Sequence, residues 1–299
     1  MLKYIKVLAT SVFLLSACGT NEIVDKDIQK QDSTDISEVV QEKETVDEEN
    51  SQQDESQDES VNNEQTEADG TSDSSQTEDS TEQTEVIEPE YKLNTGNWGI
   101  EPIGDANPDV VLLTIDDAPD KHAVEMAKIL DKLNVKAIFF VNGHFLDTPE
   151  EEEKLRLIHE LGFPIGNHTM SHPKLKDLTE EEQYNEIVKL NDRIEEIIGE
   201  RPKFFRAPFG INTDYSRQVV KQEGMLLMNW SYGYDWESQY MSAPELTDIM
   251  VNTPYLKTGA NLLMHDREWT KDSLEGIVSG LKAKGYEIVN PDSILIEEK

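Results

Sequence analysis

The chain has 299 residues, with 62 acidic and 27 basic side chains and a formal net charge of −35. Proteins bind nucleic acids through clustered lysine and arginine side chains. The excess of acidic residues therefore excludes a nucleic-acid partner bound through a general basic surface. The charge is distributed unevenly along the chain, and the segments differ in character.

Residues 1–17 are predicted to be a lipoprotein signal peptide. Lys3 and Lys6 precede an apolar run of signal-peptide length, too short for a stop-transfer helix. The run ends in "LSACG", which is similar to a bacterial lipobox and contains Cys18, the only cysteine. A lone cysteine excludes an internal disulfide, so we expect Cys18 to be lipidated and to become the mature N-terminus. The alternative is an ordinary secretory signal with an incidental cysteine.

Residues 18–88 are expected to form a disordered acidic linker. Between Thr20 and Glu88 there are 24 acidic residues and three lysines, a net charge of −21, and no aromatic residue occurs between Phe13 and Tyr91. Such a segment cannot bury enough apolar surface to offset its ordering entropy, and its like charges extend it. We therefore expect a domain lipid-anchored at the extracellular face of a bacterial cytoplasmic membrane, with the lipid as its only membrane contact, reaching into the cell wall.

Residues 89–299 are predicted to form one folded domain, in which apolar strand-like runs alternate with helical patterns. The seven runs predicted to be strands are "VVLLTI", "KAIFFV", "FPIGNH", "KFFR", "MLLMNWS", "NLLMH" and "YEIV". Continuous apolar strands separated by helices favour a parallel sheet covered by helices. Seven of them predict an α/β fold with a barrel of about seven parallel strands, whose chemistry lies at the carboxyl ends of the strands.

Five of these strands end in polar side chains suited to catalysis. In chain order they are Asp116 and Asp117, His168 and His172, Arg206, Asp235 with Trp236, and His265 with Asp266. Because the carboxyl ends of parallel strands meet on one face, these groups are expected to converge there.

The spacing of two histidines in "HTMSH" indicates a metal site. His168 and His172 are four residues apart, and with one carboxylate of the adjacent aspartates they make a two-histidine, one-carboxylate set that leaves positions open. The second carboxylate can then act as a base, held ionised by Arg206. His265, which titrates near neutrality and can be tuned by Asp235, suits the protonation of a leaving group.

Five ordered motifs give the domain a family resemblance. "TIDDAP", "HTMSH", "RAPFG", "YDW" and "LMH" resemble the motifs of the NodB-homology polysaccharide deacetylases, carbohydrate esterase family four. The resemblance implies a distorted (β/α) barrel and the metal-dependent removal of N- or O-acetyl groups from a sugar polymer.

The resemblance also implies a role for each motif residue. Asp116 would be the base; Asp117, His168 and His172 the metal ligands; Arg206 the partner orienting Asp116; His265 the general acid tuned by Asp235; Phe209 the donor of an oxyanion-binding N–H; and Trp236 and Leu263 the walls of a methyl slot. Zinc is the expected metal, with cobalt, manganese and nickel as alternatives, since this ligand set does not decide between them.

Three residues depart from the family motifs or lie outside them. Ala118 stands where the family has glycine; it costs about 1 kcal/mol or more if its φ is positive and is harmless if φ is negative. His144 follows the second strand and could contact substrate, while Asp266 could support the site or be a solvated carboxylate.

Three functions remain open from the sequence. The first is a metal-dependent amide hydrolase acting on N-acetylated glycan, with peptidoglycan the leading substrate. We expect this hydrolase to be a monomer. The second keeps this chemistry on O-acetyl esters, as on xylan. The third is a non-catalytic wall-binding lipoprotein on the same fold.

Overall fold

The computed structural model describes residues 88–296. These residues belong to a single compact unit. The predicted signal peptide, the lipidation site at Cys18 and the acidic linker as far as residue 87 lie outside the described residues. Within residues 88–296, no helix has both the length and the apolar character needed to cross a membrane.

The nine strands of residues 88–296 form two sheets. An antiparallel hairpin that the sequence did not predict consists of β1 (Tyr91–Asn94) and β2 (Gly99–Pro102). The seven strands of the second sheet pair in parallel. They are β3 (Val110–Ala118), β4 (Ile138–Val141), β5 (Ile165–Asn167), β6 (Phe204–Phe205), β7 (Leu226–Leu227), β8 (Ala260–His265) and β9 (Glu287–Ile288). All seven predicted strands are present, and the predicted fold class is confirmed.

The large sheet closes into a distorted barrel. Its strand order is β7-β6-β5-β4-β3-β8, with β9 beside the start of β3. The chain after β7 passes from one end of this order to the other. Met228 N donates to Phe205 O on β6 (2.9 Å), and Leu263 N on β8 donates to Tyr232 O (2.9 Å). This segment therefore joins β6 to β8, and all the strands point their carboxyl ends at one face.

Within the described part of the chain, six α-helices connect the strands of the large sheet. They are α1 (Ala123–Lys132), α2 (Pro149–Glu160), α3 (Glu180–Ile198), α4 (Asp214–Glu223), α5 (Ala243–Asn252) and α6 (Glu268–Ala283). Capping boxes at Thr148, Thr179 and Thr213 fix the starts of α2, α3 and α4, because each threonine accepts from a backbone N–H and the reciprocal bond is also made. No side-chain hydrogen bond caps the start of the last helix, α6.

The longest strand, β3, is buried on both of its faces. Val111, Leu113 and Ile115 pack in the larger core beneath the helices, while Val110 and Leu112 pack in a second core that includes the N-terminal hairpin. A strand buried on both sides is held rigidly by its neighbours. Its carboxyl end is therefore a firm base for the residues that follow.

Candidate metal centre and active site

Asp117, His168 and His172 lie together at the carboxyl face, and each offers one ligand atom within 4.8 Å of the others. Asp117 Oδ1 is 3.5 Å from His172 Nε2 and 3.9 Å from His168 Nε2. Ligands of a tetrahedral ion with bonds of about 2.0–2.1 Å stand roughly 3.3 Å apart. The three predicted ligands thus fit a divalent ion, and they leave a further coordination position open.

The hydrogen bonds of His168 fix its tautomer. Its Nδ1 lies 2.7 Å from the backbone oxygen of Arg206, which can only accept, so Nδ1 carries the proton. The other ring nitrogen of His168, Nε2, then faces the aspartates and is the atom available to a metal. Burial and the charge of His168 lower the pKa of His172, despite the opposing charges of Asp117 and Asp116. The imidazole of His172 is therefore disposed to be neutral, which is the form that binds metal.

The backbone of this site is locally strained. Asp117, Thr169, His172 and Phe209 have φ values of 61°, 71°, 59° and 59°, a region that costs an L-residue about 1–2 kcal/mol. Such conformations persist where the surrounding structure imposes them, and they concentrate at functional sites. Ala118 is not among the residues with positive φ, and it is fully buried. Its methyl group is therefore compatible with the turn that carries both carboxylates.

Asp116 and Arg206 form a buried ion pair next to the metal ligands. Arg206 Nη1 donates to Asp116 Oδ1 at 2.6 Å and to Thr114 Oγ1 at 2.8 Å, and Nη2 donates to Asn229 O at 3.0 Å. Arg206 is fully buried and Asp116 is 2% exposed. Desolvation lowers the pKa of Arg206, while the charge and hydrogen bond of Asp116 oppose that shift. The other carboxylate oxygen of Asp116 lies 3.5 Å from His168 Nε2.

His265 is paired with Asp235. The His265 ring Nδ1 lies 2.7 Å from Asp235 Oδ1, and the His265 backbone N donates to Asp235 Oδ2 at 2.6 Å. Thr270 Oγ1 also donates to Oδ2, and Trp269 Nε1 donates to the Asp235 backbone oxygen, both at 2.8 Å. Burial lowers the pKa of His265, but the charge and hydrogen bond of Asp235, with Asp116 and Asp117 adding to them, raise it above its ordinary value.

The loop between β8 and α6 holds the loop that follows β3. The Asp266 carboxylate accepts from the backbone N–H groups of Lys121, His122 and Ala123 (2.6–3.1 Å), which caps α1 from outside its own segment. Arg267 Nη2 donates to Asp117 Oδ2 at 2.8 Å. Asp266 is therefore a support of the site, and Arg267 is a contact that no motif in the sequence indicated.

The three predicted substrate-binding residues lie around this centre. Trp236 is 47% exposed, and its ring makes an edge contact with that of His265, with the ring centroids 5.5 Å apart. Phe209 is 54% exposed, and its ring makes an edge contact with that of His172, with the centroids 5.0 Å apart. Leu263 is buried. Both Leu263 and Trp236 lie close to the backbone of Gly233, since a Cβ there would lie 2.5 Å from Leu263 O and 2.8 Å from the Trp236 ring. A side chain at position 233 would therefore displace these walls.

A cleft of about 680 Å³ opens beside the metal ligands. Its walls include Asp117, His172 and Arg267 from the centre, with His144 and Trp269 farther out. His144 thus lies on the wall of this cleft, and its contact with substrate stays a prediction. Tyr232, from the segment before Asp235, is buried, and its hydroxyl group donates a hydrogen bond to Met250 O. This ring therefore packs in the core and does not line the cleft.

Comparison with known proteins places this geometry in a family. Residues 103–228 match the family model described as "Polysaccharide deacetylase". A peptidoglycan-N-acetylglucosamine deacetylase from Bacillus cereus is 32% identical over 209 residues, which cover 66% of this chain and 72% of that enzyme. The chain belongs to the polysaccharide deacetylase family. The resemblance drawn from the five motifs is therefore confirmed.

Other relatives show the range of the family. The peptidoglycan-N-acetylglucosamine deacetylase PgdA of Listeria monocytogenes is 31% identical over 191 residues, which cover 63% of this chain but only 39% of PgdA. A crystal structure of a peptidoglycan N-acetylglucosamine deacetylase bound to 4-naphthalen-1-yl-N-oxidanyl-benzamide superposes with a TM-score of 0.57. The two sequences are 29% identical, over 64% of this chain and 92% of that one.

One structural neighbour is not an active enzyme. A CE4 family pseudoenzyme from Bacillus anthracis is 26% identical to this chain and superposes with a TM-score of 0.55, over 61% of this chain and 64% of that one. Membership of the family therefore does not by itself establish catalysis. Catalysis depends on which side chains are present at the carboxyl face of the barrel.

Proposed function

We propose that this chain is a metal-dependent N-deacetylase of cell-wall glycan, with peptidoglycan as its substrate. One observation carries the proposal. The Asp117, His168 and His172 cluster has a buried carboxylate, Asp116, in contact with it, while His265 of the adjacent strand carries a carboxylate partner of its own. A base, a metal site and an acid are thereby combined on one face of the barrel.

Asp117, His168 and His172 would hold the ion, for which we propose zinc. Bound there, it would act as a Lewis acid on the acetyl carbonyl and make a water molecule acidic enough to attack near neutral pH. The nitrogen and oxygen donors present suit zinc but equally admit cobalt, manganese or nickel.

Asp116 is proposed as the general base. Its Oδ1 is bound by Arg206 at 2.6 Å, which stabilises the ionised carboxylate, and its Oδ2 remains on the side of His168. The free oxygen can then accept the proton of the attacking water. Arg206 acts through Asp116, since its guanidinium is fully buried away from any substrate.

His265 is proposed as the general acid. An amine leaves poorly unless its nitrogen is protonated, and Asp235 keeps the imidazole of His265 in its charged form by raising its pKa. The backbone N–H of Phe209 is proposed to stabilise the developing oxyanion. Trp236 and Leu263 would enclose the acetyl methyl group, one as an exposed aromatic wall and the other as a buried aliphatic one.

We further propose that the catalytic domain, residues 89–299, is tethered to the outer face of the cytoplasmic membrane. Support comes from the sequence of residues 1–17, from Cys18 and from the acidic composition of residues 18–88. The similarity to peptidoglycan deacetylases agrees with a cell-wall location.

Release of acetate from defined substrates tests the proposal. The mature chain is assayed on peptidoglycan, acetylated chito-oligosaccharide and acetylxylan, with and without a chelator. We expect chelator-sensitive acetate release from the first two and little from the third. Chelator-insensitive binding without acetate release from any of them would instead favour a non-catalytic wall-binding protein.

A further inference from the structure

The segment between the two histidine ligands is bound on one side through its carbonyl groups. Asn142 Nδ2 donates to His168 O at 2.6 Å, and the backbone N of Gly143 donates to Thr169 O at 3.2 Å. The backbone N of His144 donates to Met170 O at 2.8 Å. These bonds come from the end of β4 and fix the first half of the segment.

On its other side the segment is bound by one residue of α3. Glu186 accepts at three points: its backbone oxygen from Met170 N (3.0 Å), Oε2 from Ser171 N (2.8 Å) and Oε1 from Ser171 Oγ (2.7 Å). Both carboxylate oxygens are therefore engaged by Ser171, the residue immediately before His172. Glu186 lies in the middle of α3, so these bonds are separate from the capping box at the start of the helix.

The contact between Glu186 and Ser171 matters because of the backbone conformation of His172. His172 has a φ of 59°, a value that L-residues seldom adopt. Its backbone N is held by Thr169 Oγ1 at 3.2 Å, a longer bond than either bond from Ser171 to Glu186. Charge-assisted hydrogen bonds are the stronger class, so the carboxylate of Glu186 is the firmer of the two restraints next to His172.

We propose that Glu186 is a positioning residue for the metal centre, acting through Ser171 to hold His172 against Asp117. The inference rests on the metal centre of the proposed function but does not depend on which substrate is hydrolysed. Residues that orient metal ligands govern affinity for the ion, and their loss typically weakens it about 10- to 100-fold. The negative charge of Glu186 acts in the same direction, because removing an anion near a cation site also weakens binding.

The test measures zinc affinity on the metal-free full chain by competition with a chromophoric chelator. Glu186→Ala should bind zinc about 10- to 100-fold more weakly than the wild type. Glu186→Gln and Ser171→Ala should show smaller losses, because each retains one of the two hydrogen bonds. Glu181→Ala removes an exposed carboxylate from the same helix and should leave zinc affinity unchanged. The visible spectrum of the cobalt-loaded Glu186→Ala chain should also change, since the ligand geometry is altered.

Thermal unfolding of the metal-free variants separates positioning from general stability. An unaltered zinc affinity and cobalt spectrum in Glu186→Ala, whatever its melting temperature, would overturn the inference while leaving the proposed function intact. Failure of the wild-type chain to bind zinc or cobalt would overturn the metal centre and the inference with it. If Glu186→Ala does not fold, Glu186→Gln decides the matter through the same affinity measurement.

Discussion

Replacement of Arg206 by methionine should destabilise the fold strongly. Methionine keeps much of the aliphatic volume but leaves the Asp116 carboxylate, 2% exposed, without its counterion. Thr114 Oγ1 and Asn229 O also lose a charged donor. Leaving a buried charge uncompensated costs about 3–5 kcal/mol, and each kcal/mol lowers the melting temperature of a domain of this size by about 2–4 °C. The expected fall is therefore about 6–20 °C.

Urea unfolding in the presence of a chelator measures this cost without any contribution from bound metal. Asp116→Asn should also destabilise, because it leaves the buried guanidinium unpaired. The double variant, which lacks both charges, should be destabilised by at least about 2 kcal/mol less than the sum of the single variants. Arg217→Met, at an exposed position on α4, serves as the control and should change stability by less than about 0.5 kcal/mol. A loss below about 1 kcal/mol in Arg206→Met, or strict additivity in the double variant, would refute this account of the pair.

Three further predictions concern the neighbouring residues. Asp116→Asn should abolish acetate release while retaining zinc, whereas Asp117→Asn should weaken zinc binding itself; equal zinc loss in both, measured by chelator competition, would contradict the division of roles. Asp235→Asn should lower the pKa of His265, so the alkaline limb of the kcat/KM profile should move to lower pH. Because Asp235 raises that pKa, its stabilisation of the fold should be complete below the ordinary histidine value of 6.5 and vanish as pH rises through the raised one, which unfolding at several pH values can check. Ala118→Gly should lower the free energy of unfolding by about 1–2 kcal/mol, from backbone entropy and one lost buried methyl group, with zinc affinity unchanged; a gain in stability would show that the turn is strained by alanine.

Local patterns in the sequence predicted the barrel strands and the residues at their ends. Both faces of β3 are buried, so its residues form a long and continuous apolar run, "VVLLTI". Such a run can be recognised in the sequence alone. The N-terminal hairpin was missed because its strands have only four residues each, and only the first of them, YKLN, alternates apolar and polar side chains. Its place depends on a distant contact, in which Ile100 N donates to Gly259 O at 2.7 Å.

The supporting residues around the metal centre were beyond sequence reasoning for a different reason. Arg267 reaches Asp117 across 150 positions, and Glu186 reaches Ser171 from the middle of a helix whose pattern is that of any amphipathic helix. Neither residue belongs to a spaced motif, so only the folded arrangement distinguishes it from an ordinary surface charge. The cluster of Asp117, His168 and His172 could be predicted because metal binding requires specific residue types, here with two histidines at a short spacing.

The adjacent aspartates illustrate how a backbone detail completes what residue types suggest. Successive side chains of a strand point to opposite faces, so a regular β3 would direct Asp116 and Asp117 away from each other. Asp116 keeps its place beside Arg206, but Asp117 has a φ of 61°, which interrupts the alternation. As a result, oxygens of both carboxylates lie near the same His168 Nε2, at 3.5 Å and 3.9 Å. The positive φ thus falls on Asp117 and not on Ala118, so the unusual alanine is tolerated and the strain is carried by the residue whose direction matters for the metal.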